Sequence, residues 1–242
     1  MSDAKIIVLE GLDGSGKSTQ IELIKKYFED HGLTYAYLHF PIYNHNEASK
    51  VIAAYLRGEF GNINEVDPVF VANIYAMDRY LYLPTLQKQI SENDVILLDR
   101  YVFSNMAFQG AKYTTGAQSS IIRDWINEFE FGFLELPYPD LNIFFDVPLE
   151  FIKERLNIRE EGDTREYLNG KKDIHEADFD FQTRVRDNYL ALKGFQNYEI
   201  VPCAYTTVPE GSKVECLQTY TPEQLFGTYK KYIDNVLFNS HV

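Results

Sequence analysis

The chain has 242 residues, of which 45% are hydrophobic and 15% aromatic, and it carries a formal net charge of −13. This length suits one α/β domain with a large core, and no segment has the composition of a disordered region. The acidic balance argues against nucleic acid or an anionic membrane as the main partner, so any phosphate site must be made positive locally. The two cysteines, Cys203 and Cys216, supply neither a disulfide framework nor a four-ligand zinc site.

The N-terminal residues MSDAK lead directly into an apolar stretch and do not have the composition of a signal peptide. The longest apolar runs are too short to cross a bilayer. These two observations predict a cytoplasmic protein that does not use a membrane.

The first predicted strand, Lys5–Leu9, is followed by a glycine-rich loop and an amphipathic helix. The loop fits the pattern G-x-x-x-x-G-K-[ST] from Gly11 to Ser18, and the strand–loop–helix context favours a phosphate site over a chance turn. Glycines allow backbone N–H groups to surround a phosphate, and the helix that starts near Lys17 adds the positive end of its dipole. We expect Lys17 to reach the outer phosphates and the Ser18 hydroxyl to bind Mg²⁺.

Strands and helices alternate along the rest of the chain. Further strands are predicted at 34–40, 94–99, 141–147 and 198–201. Helices are predicted at 47–57, 68–89, 117–130, 149–158, 173–193 and 222–237. The helix at 68–89 has a possible interruption near Pro84. The alternation predicts one α/β domain, 1–242, with three α/β/α layers and a central parallel sheet of about five strands.

Polar residues stand where the predicted strands end, and ligands collect at the carboxyl ends of parallel strands. The first strand leads into the loop that contains Asp13, and the third ends in Asp99 and Arg100. A carboxylate beside a phosphate loop suits Mg²⁺ binding, although Asp99 could also be a solvated acid. Arg100 could clamp a phosphate with its planar guanidinium or pair with one of the chain's many acids.

Several segments together resemble the thymidylate kinases, which phosphorylate dTMP with ATP. They are VLEGLDGSGKSTQ, HFP, AMDRY, LLDRYVFSNMAFQGAKY and LPYPDL. The resemblance runs from about Lys5 to Leu192, and the combination DRYxFSxxAFxGAK is its most specific part. It implies a P-loop kinase fold, ATP and dTMP as substrates, Mg²⁺ as the cofactor and a homodimer.

The resemblance also implies roles for individual residues. The expected catalytic residues are Asp13, Lys17, Asp99, Arg100 and Arg159, with Ser18 and Asp99 at the metal. ATP is expected at Gly11, Gly14, Ser15, Gly16, Lys17, Ser18, Thr19 and Arg155. The acceptor dTMP is expected at Asp13, Phe40, Pro41, Tyr43, Tyr75, Arg79, Arg100, Ser104, Phe108 and Gln109. Within this set, Tyr75 would pack on the thymine ring and Arg79 would hydrogen-bond its edge.

Ordinary structural roles remain open for some of these residues. Tyr75 and Phe108 could be core aromatics, since the chain has 18 tyrosines and 17 phenylalanines. Arg79 could be an exposed arginine paired with Asp78 or Glu92. The acceptor could also be another nucleoside monophosphate, or the chain could be a nucleotide-dependent switch, although it lacks the Asn-Lys-x-Asp segment of guanine-type switches.

The sequence departs from the family pattern in three places. The arginine that many members carry a few residues after Phe-Pro is absent, and Tyr43 stands nearby. Gly14 stands where one branch of the family has arginine. The segment Gly194–Thr219 is longer than expected and is left unassigned. The charged stretch 159–172 is predicted to be a mobile lid, with Arg159 as the first choice for the catalytic charge; it could instead be a solvated loop.

Overall fold

The computed structural model describes residues 4–43, 45–160, 168, 173–175, 178–208 and 215–239, without the side chains of 156–160. Its main strands are β1 (Lys5–Glu10), β2 (Tyr35–His39), β3 (Val95–Asp99), β4 (Leu141–Asp146) and β5 (Tyr198–Pro202). Within the described ranges they form one parallel sheet in the order β2-β3-β1-β4-β5. The predicted parallel sheet of about five strands is confirmed.

The helices pack in two groups around the sheet. The first group consists of α1 (Lys17–Asp30) and α8 (Pro222–Phe238), and α8 contacts β1 and β4. The second group consists of α2 (Glu47–Leu56), α3 (Pro68–Glu92), α4 (Val102–Gly110), α5 (Gly116–Asn127) and α7 (Phe179–Leu190). The remaining helix, α6 (Leu149–Glu160), follows β4. The arrangement is the predicted α/β P-loop kinase fold.

The central strands β1, β3 and β4 are buried along almost their whole length, as is usual for parallel strands covered on both faces. Leu9 of β1 pairs with Asp99 of β3 on one side and with Ile143 of β4 on the other. The carboxyl ends of β1 and β3 therefore lie side by side. This register brings the loop that follows Glu10 next to Asp99.

The helix before β5 begins later than the sequence suggested. It starts at Phe179, where the carboxylate of Asp178 accepts a hydrogen bond from the N–H of Phe181 at 2.9 Å. Residues 173–175 lie in a turn. The predicted helix start at residue 173 is therefore wrong, because an aspartate cap six residues into the predicted segment sets the first turn.

Four other features differ from the expectations. The helix α3 continues through Pro84 without the suggested interruption. The helix α4 was not predicted, and α5 runs on into a π-helical segment, Glu128–Phe133, called the π segment below. The unassigned stretch contains an antiparallel hairpin of β6 (Ala204–Thr207) and β7 (Cys216–Thr219). No helix in the described part of the chain is long and apolar enough to span a membrane.

Candidate active site

The loop between β1 and α1 has the backbone of an anion-binding turn. Gly14 and Gly16 have φ angles of 77° and 89°, a left-handed conformation that favours glycine. The Nζ of Lys17 donates hydrogen bonds to the carbonyl oxygens of Gly11 (3.0 Å) and Leu12 (3.1 Å), and burial lowers its pKa. A phosphate in the loop would give this ammonium a charged partner in place of two neutral carbonyls.

Asp99 ends β3 beside this loop and is almost completely buried. Its Oδ2 lies 3.2 Å from Nδ1 of His39, whereas its Oδ1 has no hydrogen bond among the described residues. Burial alone would raise the pKa of Asp99, but the His39 hydrogen bond and the charges of Lys17 and Arg100 outweigh burial and keep the pKa below its usual value. An ionised, buried oxygen without a donor suits a cation.

Asp99 and Ser18 fit the predicted Mg²⁺ site. Ser18 is exposed at the start of α1 and lines the same cavity as Asp99. Mg²⁺ prefers oxygen ligands and is usually bound by one or two protein side chains together with substrate phosphates and water. Among the described side chains, no group of three or more His, Cys, Asp or Glu could hold a metal. Nucleotide phosphates would therefore have to complete the coordination.

Two cavities meet beside Arg100. The first, the P-loop cavity, contains about 1250 Å³ of space, and the second, the aromatic cavity, about 590 Å³, in both cases including space that is open to solvent. Of the predicted ATP-binding residues, the P-loop cavity is lined by Gly14, Ser15, Gly16, Lys17, Ser18, Thr19 and Arg155. All predicted acceptor residues line the aromatic cavity: Asp13, Phe40, Pro41, Tyr43, Tyr75, Arg79, Arg100, Ser104, Phe108 and Gln109. Asp13, His39 and Arg100 line both cavities and mark their junction.

Arg100 is held at this junction from several sides. Its backbone is left-handed, with φ of 66°, and its Nη2 lies 3.0 Å from Oδ1 of Asp13. The guanidinium carbon lies 5.1 Å from the centre of the Phe108 ring, and Nη1 donates to Oγ of Ser104 at 3.4 Å. Arg100 does pair with an acid, which was one of the two roles considered from the sequence. Because Arg100 and Asp13 both line both cavities, this pair does not remove the guanidinium from the site. A guanidinium fixed in this way needs little reorganisation to meet a phosphate.

Arg79 lies in the wall of the aromatic cavity and is only 3% exposed. Its Nε and Nη2 donate to the two carboxylate oxygens of Glu130, each at 2.6 Å. The alternative of an exposed arginine paired with Asp78 or Glu92 is therefore wrong. Glu130 was not identified from the sequence, because only the π segment turns this acid into the core between two phenylalanines.

Glu10, the last residue of β1, is another buried acid that sequence reasoning missed. Its Oε1 accepts hydrogen bonds from the N–H groups of Tyr101 (3.0 Å) and Ser104 (3.2 Å) at the start of α4. Its Oε2 accepts from the hydroxyl of Tyr189 at 3.0 Å and from that of Ser104. Burial raises the pKa of Glu10 despite these bonds. These contacts fix the backbone on the C-terminal side of Arg100. The sequence signal that could have identified Glu10 is a charged residue at the end of an apolar strand.

His175 forms part of the aromatic cavity wall and was also missed. Its Nε2 lies 3.0 Å from the hydroxyl of Tyr55, and its ring centre lies 5.1 Å from that of Phe108. Burial, assisted by the nearby charge of Lys112, lowers the pKa of His175 to about 3. The imidazole is therefore neutral at pH 7. It packs against the Phe108 ring and makes a hydrogen bond with the hydroxyl of Tyr55.

The predicted lid at 159–172 lies outside the described residues, apart from the end of the α6 backbone and the buried Leu168. The side chain of Arg159 is among the parts left undescribed, so its role stays a prediction. One turn earlier, Nη1 of Arg155 donates to the carbonyl oxygen of Gly14 at 3.1 Å. The β6–β7 hairpin also leads to this region, because Tyr220, which follows β7, lines the P-loop cavity.

Comparisons with known proteins agree with this geometry. A family model described as thymidylate kinase matches residues 9–210. The thymidylate kinase of Mycobacterium tuberculosis is 33% identical over 188 residues, which are 77% of this chain and 85% of that protein. The human thymidylate kinase is 31% identical over 144 residues, 60% of this chain and 61% of that protein.

The solved structure of a thymidylate kinase from Candida albicans has the same fold. It superposes with a TM-score of 0.68 at 21% sequence identity and covers 97% of this chain and 93% of its own. The family-model match covers every residue that lines the aromatic cavity and those that line the P-loop cavity as far as Arg155. On this evidence the chain belongs to the thymidylate kinase family.

Proposed function

We propose that the chain transfers the γ-phosphoryl group of ATP to dTMP, giving dTDP and ADP. ATP occupies the P-loop cavity and dTMP the aromatic cavity. The observation that carries this assignment of substrates is the meeting of the two cavities at Asp13, His39 and Arg100. A donor on one side and an acceptor on the other present their phosphates to each other at that point, and family membership selects thymidylate as the acceptor.

The mechanism is positioning combined with charge stabilisation. The acceptor is a phosphate oxygen that is already ionised, so the reaction needs no dedicated base. The loop N–H groups and Lys17 hold the donor phosphates, while Arg100 neutralises negative charge at the junction. Asp13 keeps the Arg100 guanidinium in place through their 3.0 Å ion pair. Mg²⁺, held by Ser18 and Asp99, would neutralise charge on the donor phosphates.

A coupled assay with ATP, Mg²⁺ and a panel of nucleoside monophosphates tests the proposal. We expect strong preference for dTMP over AMP and GMP, with dUMP a weaker but real substrate. Equal turnover of purine monophosphates would refute the assignment of the aromatic cavity. Release of phosphate into water, with none passed to dTMP, would favour a nucleotide-dependent switch.

The variant Lys17→Ala tests the phosphate site. Its turnover should fall by about 10²-fold or more, because one charged donor to the transferring group is lost. The matched control is Lys25→Ala, on the same helix, since that lysine pairs with Glu22 at 2.7 Å outside both cavities. Normal turnover of Lys17→Ala would end the kinase proposal.

We further propose that the single domain works as a homodimer in the cytoplasm, where thymidylate kinases are typically found. The support for pairing is a row of exposed apolar side chains on α3, Phe70, Met77 and Leu81, which recur at helical spacing. The double variant Phe70→Glu/Leu81→Glu should sediment as a monomer. The control variant Ile121→Glu changes an exposed apolar residue on α5 and should keep the mass of the dimer. A monomeric wild-type protein would contradict the pairing.

A further inference from the structure

A buried acid joins two of the polar side chains in the wall of the aromatic cavity. Glu130 lies in the π segment and is completely buried. Its two oxygens accept hydrogen bonds from Nε and Nη2 of Arg79, each at 2.6 Å. Its Oε1 also accepts a hydrogen bond from Nδ2 of Asn105 at 2.8 Å. Both Arg79 and Asn105 line the cavity, whereas Glu130 stands behind them.

The orientation of the Asn105 amide follows from its partners. Its Nδ2 also donates to the carbonyl oxygen of Ala72 at 3.0 Å. A backbone carbonyl can only accept hydrogen bonds, and both Glu130 oxygens already accept from Arg79, so the amide nitrogen must face them. The Oδ1 atom therefore points away, and it is buried without a hydrogen bond among the described residues. A buried amide oxygen without a donor is unfavourable, and because Asn105 lines the cavity, a molecule bound there could supply the donor.

The same carboxylate orients Arg79. Because Nε and Nη2 are committed to Glu130, Nη1 is the guanidinium nitrogen that does not bond to Glu130 in a residue that lines the cavity. A bidentate contact of this kind fixes the plane of the guanidinium as well as its position. Glu130 thus fixes the donor group of Arg79 and, together with the Ala72 carbonyl, the orientation of the Asn105 amide on the same wall.

We propose that Glu130 is a positioning residue that fixes the hydrogen-bonding polarity of the aromatic cavity and so selects the acceptor base. This inference rests on the proposed function. The wall matches a base edge on which an N–H stands beside a carbonyl oxygen, as N3–H and O4 do in thymine and uracil. Cytosine has a lone pair at N3 and an amino group at C4, so it meets the wall with the wrong polarity at both points. The 6-oxopurines share the thymine pattern, so the polarity of this wall does not by itself exclude them.

The variant Glu130→Gln removes the charge that holds the Arg79 guanidinium without changing the size of the side chain. Each carboxylate oxygen of Glu130 accepts from a nitrogen of Arg79, so in either orientation the amino group of the glutamine faces an Arg79 donor. The Arg79 guanidinium is then no longer held in one plane, whereas the Ala72 carbonyl still holds the Asn105 amide. A site built to hydrogen-bond one base edge discriminates strongly while its polar groups are fixed, and it loses that discrimination when they are free to turn.

The experiment compares kcat/KM for dTMP and dCMP in the wild type, Glu130→Gln and Glu130→Asp. We expect the dTMP-to-dCMP ratio to fall by about tenfold or more in Glu130→Gln, which corresponds to one lost base contact. In Glu130→Asp the carboxylate remains, so the ratio should stay within about threefold of the wild type even if turnover drops. The KM for ATP should not change in either variant.

The control variant is Asp146→Asn. Asp146 holds Arg186 through a bidentate pair of 2.6 and 3.0 Å and lines neither cavity. The Asp146→Asn variant measures the general cost of breaking such an ion pair. Its dTMP-to-dCMP ratio of kcat/KM should stay at the wild-type value. A ratio that fell equally in this control would mean that Glu130 acts only through stability and would overturn the inference.

The outcomes separate the inference from the proposed function. A wild type that does not phosphorylate dTMP refutes the proposed function. A wild type that does, together with an unchanged base ratio in Glu130→Gln, refutes the role of Glu130 alone. If Glu130→Gln does not fold, Asn105→Ala serves in its place, because it removes the acceptor and keeps the Arg79–Glu130 pair. An unchanged ratio in Asn105→Ala would overturn the assigned polarity.

Discussion

The substitution Asp78→Asn should loosen the loop that forms one side of the aromatic cavity. Asp78 is buried on α3, and its two oxygens accept different bonds. Its Oδ2 accepts from the N–H of Ile42 at 3.1 Å, and its Oδ1 accepts from Nδ2 of Asn46 at 2.9 Å. An asparagine at position 78 offers one acceptor and one amino group. One of the two partly buried donors must then face another donor.

The neighbouring helix prevents an easy rearrangement. Asn46 caps α2, and its Oδ1 already accepts the N–H of Ser49 at 2.8 Å, so its amide cannot turn without losing the cap. An unsatisfied buried donor costs about 1–3 kcal/mol, and loss of a cap costs about 0.5–2 kcal/mol. We therefore expect Asp78→Asn to lower the free energy of unfolding by about 2–3 kcal/mol, or Tm by about 4–12 °C.

The matched control is Asp94→Asn. Asp94 also accepts one backbone and one side-chain bond, from the N–H (2.8 Å) and the hydroxyl (2.7 Å) of Thr34, but both bonds go to Oδ2. Its amide replacement keeps both through the remaining oxygen, so Tm should change by less than about 4 °C. Thermal unfolding followed by circular dichroism gives both values, and a dTMP titration should show a raised KM only for Asp78→Asn. Equal Tm losses in the two variants would refute the argument that Asp78→Asn costs more because Asp78 uses both of its carboxylate oxygens and Asp94 uses one.

Three further predictions concern the metal, acid stability and the lid. Asp99→Asn should raise the Mg²⁺ concentration for half-maximal activity about tenfold or more, and an unchanged Mg²⁺ titration would contradict its assignment. The folded-state pKa of His175 is about 3, and an unfolded histidine titrates near 6.5. The unfolded state therefore binds more protons as pH falls from 6.5 towards 3, which costs about 2 kcal/mol at pH 5. His175→Gln should lose less stability between pH 7 and pH 5 than the wild type, and parallel losses in thermal unfolding would show that His175 is not responsible. Arg159→Ala should lower turnover by up to about 10³-fold, which is far more than it should weaken dTMP binding. Single-turnover kinetics measure the rate of phosphoryl transfer directly. A normal rate in this variant would mean that Arg100 and Lys17 alone stabilise the charge on the transferring group.

The phosphate site was predictable because its residues are contiguous. The segment from Gly11 to Ser18 carries the glycines, the lysine and the hydroxyl in one pattern, and strand and helix signals flank it. Asp99 and Arg100 were predictable because an apolar strand ends in them, and parallel strands bring their carboxyl ends to one edge. These inferences needed only local sequence and one rule of sheet topology.

The helix α4 escaped prediction for a physical reason. All of its residues, Val102–Gly110, are buried, so the polar and apolar positions show no helical stripe. Glu130 escaped because a π-helical turn contains an extra residue, which rotates later side chains away from the face that α-helical spacing assigns to them. Glu10 and His175 take their roles from partners far away in the chain, Tyr189 and Tyr55, and only the folded structure brings these together.

The strand β1 is made first during synthesis, yet it occupies the middle of the sheet. Ile7 pairs with Leu141 of β4, which lies more than half of the chain away. At about 5–20 residues per second, a ribosome needs about 7–27 s to cover that distance. Throughout this interval β1 and the phosphate loop lack the strand that covers one side of β1 in the sheet, and such distant pairings slow folding. The P-loop cavity is completed later still, because Tyr220, Pro222 and Leu225 also line it. A nucleotide can therefore stabilise the nascent chain fully only after α8 has emerged.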